Sequence, residues 1–249
     1  MARQKGITKL TGKIGDLSFY KSKDGYLARE KGGIEAERIK NDPAFIRTRE
    51  NGAEFGSSAS SGKLLRDSIR TMMQNASDSR VTGRLMKVMT QIKNMDATNA
   101  RGERSVGVGI VLPAAKALLK GFNFNNRAIL GSVLFKSYTV APLTGAIAIQ
   151  GFVPINDLNT PSRATHVTLK SAWAKVDFTS AVSVMEESNI VNLPIDGTLT
   201  TVTLIPATAP IGTGTDVYLL MLEFFQEVNG VQYTLKNGAF NVLSIVEIL

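Results

Sequence analysis

The segment Ala100–Gly109, ARGERSVGVG, brings charge and glycine together at the spacing that comes closest to chemistry in this chain. Arg101 and Arg104 bracket Glu103, and Gly107 and Gly109 leave backbone N–H groups accessible, so the two arginines could contact a phosphate. The segment lacks the Gly-Lys-Ser/Thr ending of a P-loop, and Gly107-Val108-Gly109 is not followed by the helix spacing of a dinucleotide fingerprint. A connection held by Arg-Glu pairing is the stronger reading. His166 is the single histidine, with Thr165 and Thr168 nearby but no acid at a diagnostic spacing, and it reads as a hydrogen-bonded strand residue. Glu186 and Glu187 are consecutive in an expected strand, so they point to opposite faces and cannot act on one bond together. Without cysteine there is no thiol nucleophile, disulfide framework or zinc-thiolate site. No hydrolase elbow or kinase-type motif appears. The chain therefore reads as non-enzymatic, with no cofactor expected.

The elements that hold these residues follow from composition and period. With 43% hydrophobic and 20% charged residues, the 249-residue chain has a globular balance. The net charge of +8 hides an asymmetry. Residues 1–127 carry 24 Lys and Arg against 12 Asp and Glu, a net +12, whereas residues 130–249 carry 5 against 9, a net −4. Such a split suggests that the basic half meets either nucleic acid or the acidic faces of neighbouring copies. The basic residues are spread along the segment, which favours the second partner. No run of about 18 apolar residues offers a membrane span, and MARQKGITKL holds no secretory apolar core. Synthesis in the cytoplasm without a signal peptide is expected, followed by a place in a virion or other large assembly.

Along the chain, Ile7–Leu10 and Ile14–Tyr20 read as short strands, and Lys23-Asp24-Gly25 reads as a tight hairpin turn between Leu17-Ser18-Phe19-Tyr20 and Tyr26-Leu27-Ala28. Asn41-Asp42-Pro43 is a helix start, and a helix from about Pro43 to Phe55 is expected to close at Gly56, with Ser57–Gly62 as a small-residue link. Two helices follow on the periods Leu64, Leu65, Ile69, Met72, Met73, Ala76 and Val81, Leu85, Val88, Met89, Ile92, Met95, the methionines serving as core. Pro113 opens a short helix stopped by Gly121. Beyond Asn126 the period changes to 2, with strands expected at 132–140, 146–153, 166–176, 181–186, 199–205, 217–227, 231–235 and 239–249. Asn229-Gly230 is the clearest hairpin signal, and Trp173 reads as a core aromatic.

The expected fold class is α+β: an N-terminal β-ribbon arm and helical segment followed by a C-terminal antiparallel β-sandwich, Ig-like in type. The expected division is 1–60 for the basic arm with ribbon and short helix, 61–125 for the helical segment and 126–249 for a sandwich able to fold alone. This order resembles a group of proteins encoded in Bacteroidota genomes and their prophages. The likeness rests on the ribbon GKIGDLSFYKSKDGYLAREKGG, on Pro43, Arg47, Arg49 and Phe55 in the following helix, and on Arg101-Gly102-Glu103-Arg104. The resemblance implies no activity and carries over no catalytic residue; it favours a phage-like or surface-assembly role.

The function expected is a structural subunit that self-assembles into a virion part, tube or filament through its arm. An isolated two-stranded ribbon is marginal in water, so Phe19, Tyr20, Tyr26 and Leu27 need a further surface. Arg29, Arg38, Arg47 and Arg49 are the expected partners for acidic groups on neighbouring copies. The alternative is a nucleic-acid-binding protein using the basic half, with Arg101 and Arg104 on phosphate.

Overall fold

Glycine places the turns of the first sixty residues. The computed structural model describes residues 2–30, 33–235 and 238–249, so Lys31 and Gly32 of the ribbon lie outside the described residues. The chain divides into two units, Met1–Arg49 and Glu50–Leu249. In the first, β1 (Ala2–Arg3), β2 (Gly12–Ile14), β3 (Leu17–Ser22) and β4 (Gly25–Glu30) form an antiparallel sheet in the order β1-β4-β3-β2. The expected hairpin is present, with Lys23-Asp24 as its two-residue turn and Ser22 opposite Gly25. The run Ile14–Tyr20, read as one strand, is two, because Gly15 adopts φ +56° and reverses the chain between Ile14 and Leu17. Ile7–Leu10, also read as a strand, has no strand structure.

After α1 (Ala36–Asn41), Asp42 accepts a hydrogen bond from Ala44 N (2.9 Å) and Pro43 opens a 3-10 turn, Pro43–Phe45. Then α2 (Ile46–Ser68) runs unbroken through Gly56 and the expected link Ser57–Gly62. The serines there return their hydroxyls to the helix itself, Ser58 Oγ to Glu54 O (2.9 Å) and Ser61 Oγ to Ser57 O (3.1 Å). Gly62 is buried facing Leu85 and Met89 of α4 (Val81–Asn94), so tertiary packing overrides weak local propensity. The break comes instead at Ile69, before α3 (Arg70–Met73).

In the second unit α5 (Val106–Gly109), α6 (Pro113–Leu119) and α7 (Leu130–Val133) follow. Then come β5 (Thr139–Ala141), β6 (Ala146–Phe152), α8 (Pro154–Asp157), β7 (His166–Asp177), β8 (Val182–Glu187), β9 (Val191–Pro194), β10 (Thr200–Leu204), β11 (Thr215–Val228), β12 (Val231–Thr234) and β13 (Val242–Ile248). The expected strand 132–140 is replaced by α7 and the short β5, and β9 was not foreseen. The fold is mixed α/β with antiparallel sheets. One has the order β10-β6-β5; the larger is built on the long pair β7 and β11, with β8 and β9 on the outer side of β7, β13 and β12 on that of β11.

The run VYLLMLEF in β11 states why the sheet is buried on both faces. Val217, Leu219 and Met221 join the core formed by Leu65, Ile69, Met72, Leu85, Met89 and Ile92 of the helices. Tyr218, Leu220, Leu222 and Phe224 alternate into a second core with Ile147, Ile149, Val202 and Leu204 of the smaller sheet. Trp173 belongs to the second core, stacked on Tyr218 with ring centroids 5.3 Å apart, and its Nε1 donates to Asp216 Oδ1 (2.7 Å). In β13 a bulge leaves Val246 unopposed between the pairs Tyr218–Glu247 and Leu219–Ile245, which returns Ile248 to the helix-facing core. Asn229 (φ +53°) and Gly230 (φ +78°) make the expected turn between β11 and β12. Among the described residues no helix is long and apolar enough to cross a membrane.

Candidate functional site

Register divides the first unit's sheet into two chemically different faces. The pairs Phe19–Ala28, Lys21–Tyr26 and Ile14–Leu17 place Ile14, Leu17, Phe19, Tyr26 and Ala28 on one face. The pairs Tyr20–Leu27, Ser18–Arg29, Lys13–Ser18 and Arg3–Leu27 place Arg3, Lys13, Tyr20, Leu27 and Arg29 on the other. The four residues expected to act together are thus split, Phe19 with Tyr26 and Tyr20 with Leu27. Each face carries a cation over a ring, Lys21 Nζ 5.6 Å from the Tyr26 centroid and Arg29 Cζ 5.7 Å from that of Tyr20. The sequence reading passed over Ile14 and Leu17, although both lie on the apolar face and are exposed.

What sets this unit apart is that none of its described residues is buried. Ile7, Leu10, Ile14, Leu17, Ile34 and Ile46 are all exposed. The unit carries twelve Lys and Arg against six Asp and Glu, a net +6. Its arginines differ in availability. Arg49 Nη1 donates to Ile39 O (2.8 Å) and Asp42 O (2.9 Å), so Arg49 ties the end of α1 to the start of α2 within its own chain. Arg38 pairs with Asp42 (3.2 Å) and lies over the Phe45 ring, with most of its side chain in solvent. Arg47 is exposed. Reversing Arg47 and Arg49 together would therefore disturb the helix junction as well as any intermolecular contact.

The second cluster is the loop from Thr98 to Ser105, which holds Arg101 and Arg104, the possible phosphate contacts for which Arg-Glu pairing is the stronger reading. Both serve the protein itself. Arg104 grips Glu54 of α2 with Nε on Oε1 (2.8 Å) and Nη2 on Oε2 (3.0 Å), while Lys93 of α4 bonds the same carboxylate and Gly102 N donates to Oε1 (2.8 Å). Arg101 reaches Asn51 Oδ1 (3.0 Å) and Glu50 Oε2 (3.4 Å). The Arg-Glu pairing thus exists, but with α2 in place of Glu103. The Arg104 guanidinium foremost, with Lys93 and Gly102 N, outweighs burial and holds the Glu54 carboxyl down at about 2. Burial alone would raise Asp96; hydrogen bonds from Asn99, Ser105 N and Thr98 N overcome it and bring it to about 2. The sequence reading missed Glu54, Lys93 and Asp96. The available signal was that the buried stripe of α2 runs Glu54, Ser58, Ser61, Leu65, a carboxylate on a core-facing line.

The glycines of the same segment serve packing. A Cβ on Gly109 would overlap the Ile92 carbonyl, so α5 lies against the backbone of α4. Gly109→Ala is expected to cost about 1–3 kcal/mol in denaturant unfolding. Gly83→Ala, at an open position in α4, is expected to stabilise by up to about 1 kcal/mol. Equal effects of the two would contradict this packing.

No family model, curated protein or solved structure matches this chain. His166 stands with Nε2 3.6 Å from Glu227 and Nδ1 3.0 Å from Thr165 Oγ1, a strand-surface arrangement. Glu186 and Glu187 lie opposite Trp173 and Ala172, on the two faces of β8. Among the described residues no three His, Asp or Glu side chains are grouped to hold a metal ion.

Proposed function

We propose that the chain is a non-enzymatic structural subunit that associates with copies of itself through Met1–Arg49, in a phage-like virion part, tube or filament. The second unit, whose two packed sheets we read as an Ig-like sandwich, is the body. One observation carries the reading: a regular four-stranded sheet with an apolar face and no buried residue among those described. Moving a leucine or isoleucine side chain out of water contributes about 1.5–3 kcal/mol. The six exposed aliphatics together offer on the order of 10 kcal/mol, comparable with the about 4–15 kcal/mol that association costs. The prophage resemblance agrees with this role.

Deleting Met1–Gly33 should leave a folded monomer with its melting temperature nearly unchanged, while electron microscopy of the full-length protein shows large assemblies free of nucleic acid. A truncated protein that still forms them would sink the proposal. The basic face with Arg3, Lys13, Tyr20 and Arg29 favours a second reading, nucleic-acid binding. In that case the full-length protein stays small and binds DNA with a steep log–log dependence on salt.

A further inference from the structure

β8 is one end of the larger sheet's strand order, and β12 is the other. β8 is hydrogen-bonded to β7 along Ala172–Asp177, and among the described residues no strand pairs with the outer side of Val182–Glu187, the Ser188–Pro206 bridge lying just past its end. Two other edges of that sheet are guarded. The stretch Gly121–Phe124 bonds to β13 through Gly121 N to Ile245 O (2.8 Å) and Phe124 N to Leu243 O (2.8 Å). β9 ends in Pro194, which cannot donate to a ladder. β8 holds six residues, VSVMEE, with no proline, and its only charges, Glu186 and Glu187, stand at its end, so Val182–Met185 carries neither proline nor charge against edge pairing.

Its exposed side chains are also suited to a partner. Val182, Val184 and Glu186 alternate onto one face. Val182 is 58% exposed and Ile211 beside it 87% exposed, and with Val184 and Lys175 they line a surface cavity of about 260 Å³. Glu187 is already held by Lys170 (2.7 Å) and Thr71 (3.0 Å). Glu186 has no such partner among the described residues.

The complementary chemistry sits in the first unit. Lys5–Leu10, KGITKL, belongs to no strand, every residue of it is exposed, and Ile7 is completely so at 104%. Gln4 Nε2 donates to Leu27 O (3.0 Å) and holds the start of the segment, whereas the bonds that close it into a loop, Leu10 N to Gln4 Oε1 (2.8 Å) and Lys9 Nζ to Gln4 O (2.5 Å), are exposed and break when the segment extends. Drawn out as a strand, the segment puts Lys5, Ile7 and Lys9 on one side. With Ile7 beside Val184, one of the two lysines stands beside Glu186 in either strand direction.

We propose that Lys5–Leu10 of one copy adds as a strand to β8 of a second copy, with Ile7 in the cavity at Val184 and a lysine on Glu186. The inference rests on the assembly role of the first unit and names the surface that receives it. Because two different patches meet, the contact is head-to-tail and propagates into rings or filaments.

The absence of cysteine makes the test direct. Ile7→Cys and Val184→Cys are made on separate full-length copies, mixed under conditions where the protein assembles, and oxidised. Neighbouring strands hold opposed Cα atoms about 4.5–5.5 Å apart, within reach of a disulfide. The mixed disulfide is expected at least about tenfold above that between Ile7→Cys and Leu143→Cys, a pair the contact does not join, and Glu186→Lys on the receiving copy should reduce it. Assemblies that form without the 7–184 cross-link overturn this inference and leave the assembly role standing. Full-length protein that never assembles removes both. A cross-link that appears only when both cysteines share one chain shows intramolecular closure and also overturns it.

Discussion

Glu54→Gln is expected to destabilise the second unit by about 3–5 kcal/mol, the usual cost of leaving one member of a buried ion pair without its counter-charge. The Glu54 and Lys93 side chains are 4% and 5% exposed, and Arg104 bonds the same carboxylate. Glutamine retains an acceptor for Gly102 N, yet two cations then face a neutral amide. For a domain of this size each kcal/mol shifts the melting temperature by about 2–4 °C, so a fall on the order of 10 °C should be seen in a calorimetric melt. Glu103→Gln, on the exposed neighbouring carboxylate, should stay within about 0.5 kcal/mol of the parent. The folded pKa of Glu54 and of Asp96 lies at about 2, below their ordinary 4.5 and 3.8. Their contribution is therefore complete above those ordinary values and is lost as pH falls from about 4.5 towards 2. The variant should lose part of that acid-limb slope. A Glu54→Gln melt within 2 °C of the parent, roughly the effect of 1 kcal/mol, would show that the pair is not holding the loop.

How much of this was legible depended on the range of the interaction. The hairpin at Lys23-Asp24, the Asp42 cap and the Asn229-Gly230 turn are local, set by φ preference and by one side chain bonding its own backbone. The two-sided burial of β11 also shows in its unbroken apolar run. What failed was settled by contacts far along the chain. Ser57–Gly62 reads as a link because serine and glycine have weak helix propensity; its helical state comes from packing on α4, some 25 residues later. Likewise Glu54 finds Lys93 and Arg104 only once α2, α4 and the Thr98–Ser105 loop converge. In the first unit, the sequence marks the hairpin between β3 and β4. A two-residue turn pairs Tyr20 with Leu27 and Phe19 with Ala28, which fixes the faces, and Gly15 adds the strand that carries Ile14.

Residues 126–249 on their own should fail to fold, against the expectation from composition that they form a separate sandwich. That expectation followed the alternation of the strands and missed that β7, β11 and β13 are buried on the second face as well. Cutting at residue 126 strips the helices from Val176, Val217, Leu219, Met221, Leu243, Ile245 and Ile248. Each such side chain loses about 1.5–3 kcal/mol when returned to water, so the loss matches or exceeds the about 5–15 kcal/mol by which a domain is stable. The cut also removes Gly121–Phe124, whose backbone closes the outer edge of β13. The fragment should bind hydrophobic dye and show no cooperative melt, whereas residues 50–249, which retain both cores, should melt in a single sharp transition. Deleting the last ten residues, Phe240–Leu249, should be equally damaging, since β13 contributes Leu243 and Ile245 to one core and Val242 and Val246 to the other. A cooperative melt of 126–249 would mean that the smaller sheet alone stabilises the larger one, and that the helices are an addition to the body instead of half of its core.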